Sequence, residues 1–152
     1  GSYQVKFPSK PTPSTKKVDS DVGKLTLNLH ILDLSKSNTS NNLIYMTNYS
    51  EYPSEEISSE KTELLDKFFN GATNGAVKNV KGELISTKKI TYNGYPGRVI
   101  RIDFGNGLAV ITMKMILVKN KMYMLQTITK TNQEPNDDLL KFMNSFKLLD
   151  SN

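Results

Sequence analysis

The stretch from Tyr92 to Lys130, YNGYPGRVIRIDFGNGLAVITMKMILVKNKMYMLQTITK, limits the possible folds more than any other part of this chain. It divides into three strand-like runs, Gly97–Phe104, Leu108–Lys119 and Met122–Lys130, rich in β-branched and aromatic residues and separated by turn residues. Asn106-Gly107 carries the signal of a type I′ hairpin turn, and Asn120-Lys121 marks a second turn. With two-residue turns the meander can be registered: Ile100 falls opposite Met113, and Met115 opposite Gln126. Side chains alternate across a strand. One face therefore gathers Ile100, Ile102, Phe104, Ile111, Met113, Met115, Leu117, Met122, Met124 and Ile128, an apolar surface that requires helix coverage. The other face gathers Val99, Arg101, Asp103, Val110, Thr112, Lys114, Ile116, Tyr123, Leu125, Thr127 and Thr129. It is mixed, and it is where a binding site is expected.

The remaining strands follow from the same alternation. Lys24–Asp33 places Leu25, Leu27, Leu29 and Ile31 on one side and Thr26, Asn28 and His30 on the other, a half-buried strand. Ser35–Asn42 is polar throughout and reads as a hairpin loop before a returning strand, Leu43–Ser50. Tyr3–Phe7, Thr15–Ser20 and Glu83–Ile90 are further strand candidates. Leu64, Leu65, Phe68, Phe69, Ala72 and Ala76 recur at helical spacing, which predicts a helix over about Ser58–Val77. Ser54, Ser58 and Ser59 are N-cap candidates, and Gly75 a candidate left-handed end. After Pro135, Asn136 or Asp137 is expected to cap a short helix carrying Leu139, Leu140, Phe142 and Met143. A chain of 152 residues suits a single domain, here residues 3–150, able to bury a core without disulfide or metal.

Charge and composition narrow the function classes. The net charge is +5, from 20 basic and 15 acidic residues. The lysines are dispersed, whereas nucleic-acid binders concentrate theirs in a stripe, so no nucleic-acid partner is expected. There is no cysteine, which removes disulfides, thiol nucleophiles and cysteine-based metal sites. No window approaches the 18 or so apolar residues of a membrane-spanning helix. The opening Gly1-Ser2 reads as an expression scar. The expectation is that an upstream segment, such as a signal peptide or a lipid-anchored cysteine, has been removed.

Order and motifs together resemble the PsbP-like superfamily. The matching residues are Val5-Lys6-Phe7-Pro8, the turn Gly94-Tyr95-Pro96-Gly97-Arg98, the run Leu117–Leu125 (LVKNKMYML) and Ser145-Phe146-Lys147, within the closing Phe142–Leu149. The look is that of bacterial secreted or lipid-anchored members. The resemblance implies an α+β fold, an antiparallel sheet flanked by helices on both sides. It also implies an extracytoplasmic protein that binds rather than catalyses. No functional residue of the family is carried over.

The chemistry-bearing residues give no reaction. His30 is the single histidine, on a polar strand face, and reads as a surface residue, since a metal site needs several converging ligands. Asp19-Ser20-Asp21-Val22-Gly23 has the first half of a calcium loop's pattern but lacks the bidentate glutamate, and reads as a hairpin turn. Gly105-Asn106-Gly107 lacks the third glycine and the following helix of a phosphate loop. Glu55-Glu56 and Asp137-Asp138 lie at expected helix starts, where negative charge offsets the dipole. Met113, Met115, Met122 and Met124 read as core. Arg98 and Arg101 are the only arginines. Arg98 points to the Met-rich face and is expected to close its edge or cap a helix carboxyl end. Arg101 is expected to pair with Asp103, or, with Lys114 and nearby threonines, to receive an anionic group through its planar fork.

Neither enzyme nor cofactor is expected. The leading expectation is a non-catalytic binding module of the bacterial cell envelope for a protein or envelope component, with Arg101, Asp103, Thr112, Lys114 and Tyr123 as binding residues. The alternative is a carrier of a small or lipid-type molecule, with a pocket between sheet and helix.

Overall fold

The computed structural model describes residues 3–20 and 22–149. Gly1-Ser2, Asp21 of the first hairpin turn, and Asp150 at the expected domain end lie outside the described residues. The architecture is α+β. Strands β2 (Thr12–Ser20), β3 (Gly23–Asp33), β4 (Asn42–Glu51), β5 (Glu83–Tyr92), β6 (Tyr95–Phe104), β7 (Ala109–Val118) and β8 (Lys121–Lys130) form one antiparallel sheet. Its order is β2-β3-β4-β8-β7-β6-β5. Helix α1 (Leu65–Val80) follows β4, and helix α2 (Asp137–Asn144) follows β8. Two-residue strands β1 (Tyr3–Gln4) and β9 (Lys147–Leu148) pair separately.

The alternation read from the sequence separates two cores on opposite sides of the sheet. On one face α1 packs Phe69 against Ile100, Ile102, Ile111, Met113, Met115, Leu117 and Met122. On the other, α2 and the chain ends pack Leu139, Phe142, Met143 and Phe146 against Leu32, Tyr45, Ile116, Val118, Tyr123 and Leu125. Met113, Met115 and Met122 are thus core residues, filling an irregular space with unbranched side chains, and Met124 packs half-buried against them.

Ile100 pairs with Met113 as expected, although the β6–β7 connection spans Gly105–Leu108 rather than a two-residue turn. The β7–β8 pairing differs by two residues. Met115 faces Met124, because Lys119-Asn120 makes the turn, with Lys119 at φ 55°. A two-residue slip preserves the facing, so both faces keep their predicted members. Before β6, Asn93 and Gly94 have φ 49° and 83°, the paired positive angles of a type I′ turn. Tyr95-Pro96 accordingly opens the strand.

The first helix begins later than its sequence signals. Ser59 exchanges hydrogen bonds with Lys119, its N–H to the Lys119 carbonyl and its Oγ accepting the Lys119 N–H, 2.8 Å each. This ties the loop to the β7–β8 turn. A single 3-10 turn at Thr62–Leu64 then leads into α1. The helix passes through Gly71 and Gly75 and ends on Lys81, which takes the left-handed conformation at φ 54°. The α2 N-cap is Asn136, whose Oδ1 accepts the Leu139 N–H at 2.8 Å.

Candidate functional site

The α2 face carries a groove of about 950 Å³. One wall is the segment Tyr3–Pro11, the floor is β3 and β4, and the opposite wall is α2. The β3–β4 register places His30 directly opposite Thr47, and both line the groove with Tyr45. The α2 wall contributes Asp138, Lys141 and Phe142, spaced as one helical turn. The N-terminal wall contributes Tyr3, Val5 and Phe7 inward, alternating with exposed Gln4 and Lys6.

Aromatic contacts hold these walls. Phe142 meets Phe7 and Tyr45 edge to face, with ring centroids 5.2 and 5.1 Å apart, an arrangement favoured by the ring quadrupoles. Tyr3 stands edge to face with Tyr123 at 5.2 Å, and its hydroxyl donates to Thr47 Oγ1 at 3.2 Å. The Lys6 N–H donates to Ser145 Oγ at 2.9 Å. Burial pushes the Tyr45 hydroxyl's pKa up, and that hydroxyl accepts from the Asn42 side-chain amide at 2.8 Å. Lys6, His30 and Lys141 set three basic side chains around an apolar interior, against one carboxylate, Asp138.

The five residues expected to bind lie elsewhere on the same face, where Arg101, Asp103, Lys114 and Tyr123 are engaged within the chain and Thr112 is buried. Arg101 does not pair with Asp103. Its Nε and Nη2 donate to the Glu134 carboxylate at 2.8 and 2.6 Å. Glu134, only 7% exposed, reaches it from the turn after β8, which a same-strand argument does not anticipate. These bonds hold the Arg101 pKa above its usual value. Asp103 accepts the Gly107 N–H with both oxygens and shapes the β6–β7 loop. Lys114 donates to the Met143 carbonyl at 3.0 Å, and desolvation lowers its pKa. Thr112 is buried, and its hydroxyl and that of Thr127 have no hydrogen-bond partner. Tyr123 is 2% exposed. Its pKa is pushed up to about 12, first by burial and then by the Tyr49 and Tyr3 hydroxyls.

Arg98 lies on the Met-rich face as expected, but it reaches the amino-terminal half of α1, not a carboxyl end. It donates to Asn70 Oδ1 at 2.7 Å and Asp66 Oδ1 at 3.3 Å, beside the Phe69 ring. The β2–β3 hairpin turns where the half calcium motif stands, with Ser20 Oγ donating to the Gly23 carbonyl at 2.6 Å. Among the described residues no three of His, Cys, Asp and Glu converge as metal ligands, and no carboxylate comes within ion-pair distance of His30. Among the described residues no helix is long and apolar enough to cross a membrane.

Sequence reasoning missed Lys6, Phe7, Tyr45, Thr47, Lys141 and Phe142 as one site. The Ser35–Asn42 loop did contain part of the signal, because closing it symmetrically already sets His30 against Thr47. The fold is α+β, an antiparallel sheet with a helix on each face. No family model matches the chain, and no curated protein does. Among solved structures, the cyanobacterial PsbP (CyanoP) of Synechocystis sp. PCC 6803 is similar over 90% of this chain and 93% of its own. The two are 14% identical, with a TM-score of 0.45.

Proposed function

We propose that the chain is a non-catalytic binding module of the cell envelope, outside the cytoplasm, that holds a lipid-like envelope component in the groove between the N-terminal segment, β3–β4 and α2. The observation behind this reading is the groove itself. Its volume of about 950 Å³ lies at the upper end of small-molecule sites, and such sites are mostly apolar with a few placed polar groups. The aromatic interior suits an apolar body. The excess of Lys6 and Lys141 over Asp138 suits an anionic group at the rim. The extracytoplasmic placement rests on the resemblance of the sequence motifs.

Titration with the fluorescent fatty acid 11-dansylaminoundecanoate tests this. Wild type is expected to bind it, and Lys6→Glu/Lys141→Glu to bind about tenfold more weakly, since each exposed charge contact is worth ~0.2–1 kcal/mol and reversal adds repulsion. Lys88→Glu on β5, outside the groove, is the control and retains affinity. No binding by wild type, or equal affinity in the double reversal, refutes the assignment.

A further inference from the structure

The groove holds one side chain of a kind that changes charge near neutral pH. His30 is the single histidine of the chain. It lies half-buried on the groove floor, directly opposite Thr47. Of the side-chain types that line this groove, imidazole alone ordinarily gains or loses charge between about pH 5 and 8. The N-terminal wall brings Lys6 and the α2 wall Lys141, so three basic side chains stand on three sides of one space.

The elements around His30 leave its charge available. From β2, Pro13 faces it across the ladder and brings no charge, and Lys17 stands further along the same face. From β4, Thr47 is opposite, with Tyr45 and Tyr49 on either side; Glu51, beyond Tyr49, lies 4.0 Å from Lys121. On β3 itself Asn28 and Leu32 share the face, whereas Asp33 lies on the other face and accepts the Ser35 N–H at 2.9 Å. α2 presents Asp138 and Lys141 to the groove. Among the described residues no carboxylate comes within ion-pair distance of His30. An imidazolium here has no counter-charge of its own, which leaves that place to the anion of a ligand.

We propose that His30 makes the groove a pH-regulated receptor: its protonation completes a set of three cations with Lys6 and Lys141, and the anionic end of the ligand is held more tightly in mildly acidic medium than above neutrality. This inference rests on the groove reading above and adds its regulation. Linkage sets the sign. A bound anion favours the charged imidazole, so binding draws a proton onto His30, and affinity rises as pH falls. One more positive charge at a partly exposed rim strengthens binding about two- to fivefold. Lys6 and Lys141 keep a basal affinity for the anion at higher pH, and an uncharged ligand has no share in the effect.

Isothermal titration calorimetry with decanesulfonate, an anion across the whole range, and decanol, its uncharged counterpart, tests this. Wild type is expected to bind decanesulfonate about two- to fivefold more tightly at about pH 5.5 than at about pH 8, and decanol equally at both. Between those limits decanesulfonate binding should take up protons, read from the dependence of the heat on the buffer's ionisation enthalpy. His30→Gln is expected to keep the weaker affinity throughout and take up none, and His30→Lys to show the tighter affinity at both ends. If a variant fails to fold, the proton uptake and the decanol comparison on wild type decide. Decanesulfonate binding that persists but ignores pH overturns the inference and leaves the groove reading standing; no binding of either compound at any pH overturns both. A pH response that decanol shares, or that His30→Gln retains, also overturns the inference, since it would then arise from the fold or from another group.

Discussion

Asn42 and Asn136 join the central sheet to α2, and the strength of that joint can be worked out bond by bond. Asn42 is fully buried at the start of β4. Its amide donates to Asn136 Oδ1 at 3.0 Å and its Oδ1 accepts from Asn136 Nδ2 at 2.9 Å, a reciprocal pair. It also donates to Tyr45 Oη and accepts from Thr129 Oγ1 at 2.6 Å. Asn136 is in turn the N-cap of α2. Asn136→Ala removes the cap, about 1 kcal/mol, and two buried hydrogen bonds, about 1 kcal/mol each, for a total near 3. Asn42→Ala removes four bonds and strands the Thr129 hydroxyl, costing about 4 kcal/mol. The double variant loses the shared pair only once. Its cost should be about 5 kcal/mol, leaving a coupling near 2 kcal/mol, within the range for directly bonded neighbours. Urea unfolding of the four proteins, followed by far-ultraviolet circular dichroism, measures each quantity. A coupling below about 0.5 kcal/mol would refute the bridge and make the two amides independent. Because α2 supplies Lys141 and Phe142 to the groove, Asn136→Ala should also weaken dansylundecanoate binding.

Two further outcomes are expected. Tyr123 has its pKa raised from 10.0 to about 12, so the folded state holds this proton after the unfolded state has lost it. Stability is then full below pH 10 and falls as pH rises towards 12; Tyr123→Phe should flatten that decline, and an equal decline in the variant would contradict the assignment. Gly97→Ala is expected to destabilise by roughly 1–3 kcal/mol, because its Cβ would sit 2.5 Å from the Met115 carbonyl oxygen and 3.0 Å from Ile90 Cγ1; an unchanged urea midpoint would show that β6 and β7 can part there.

What the sequence made legible was whatever depends on alternation alone. Leu25, Leu27, Leu29 and Ile31 share a face whatever the partner strand, and the two meander faces survive even the misplaced turn at Lys119. What required distant residues was hidden. Ser58 and Ser59 have the chemistry of helix caps, but the backbone of Lys119 engages Ser59 instead. Arg101 and Asp103 are neighbours on one face, yet Glu134 offers a buried bidentate carboxylate. The groove needs Lys6 and Lys141 on facing walls, and the pairing of Tyr3-Gln4 with Lys147-Leu148 that holds the chain ends together has no local signature. Tyr3–Phe7 alternates like a full strand, but only its first two residues find a partner.

That short ladder gives the groove walls unequal stiffness. The floor belongs to the seven-stranded sheet and α2 is fastened through Asn42, whereas the N-terminal wall is held by a two-residue ladder, the Lys6–Ser145 bond and a few aromatic contacts. Local opening follows the fewest protected hydrogen bonds. The strap can therefore lift and reseat while the sheet and the α1-side core stay closed, so amides around Val5–Phe7 should exchange with solvent long before those of β7 and β8. The groove then behaves as a rigid half-mould under a hinged cover. Under the proposed function, the floor and α2 would set which ligand is chosen, and the release of the strap how fast it enters and leaves.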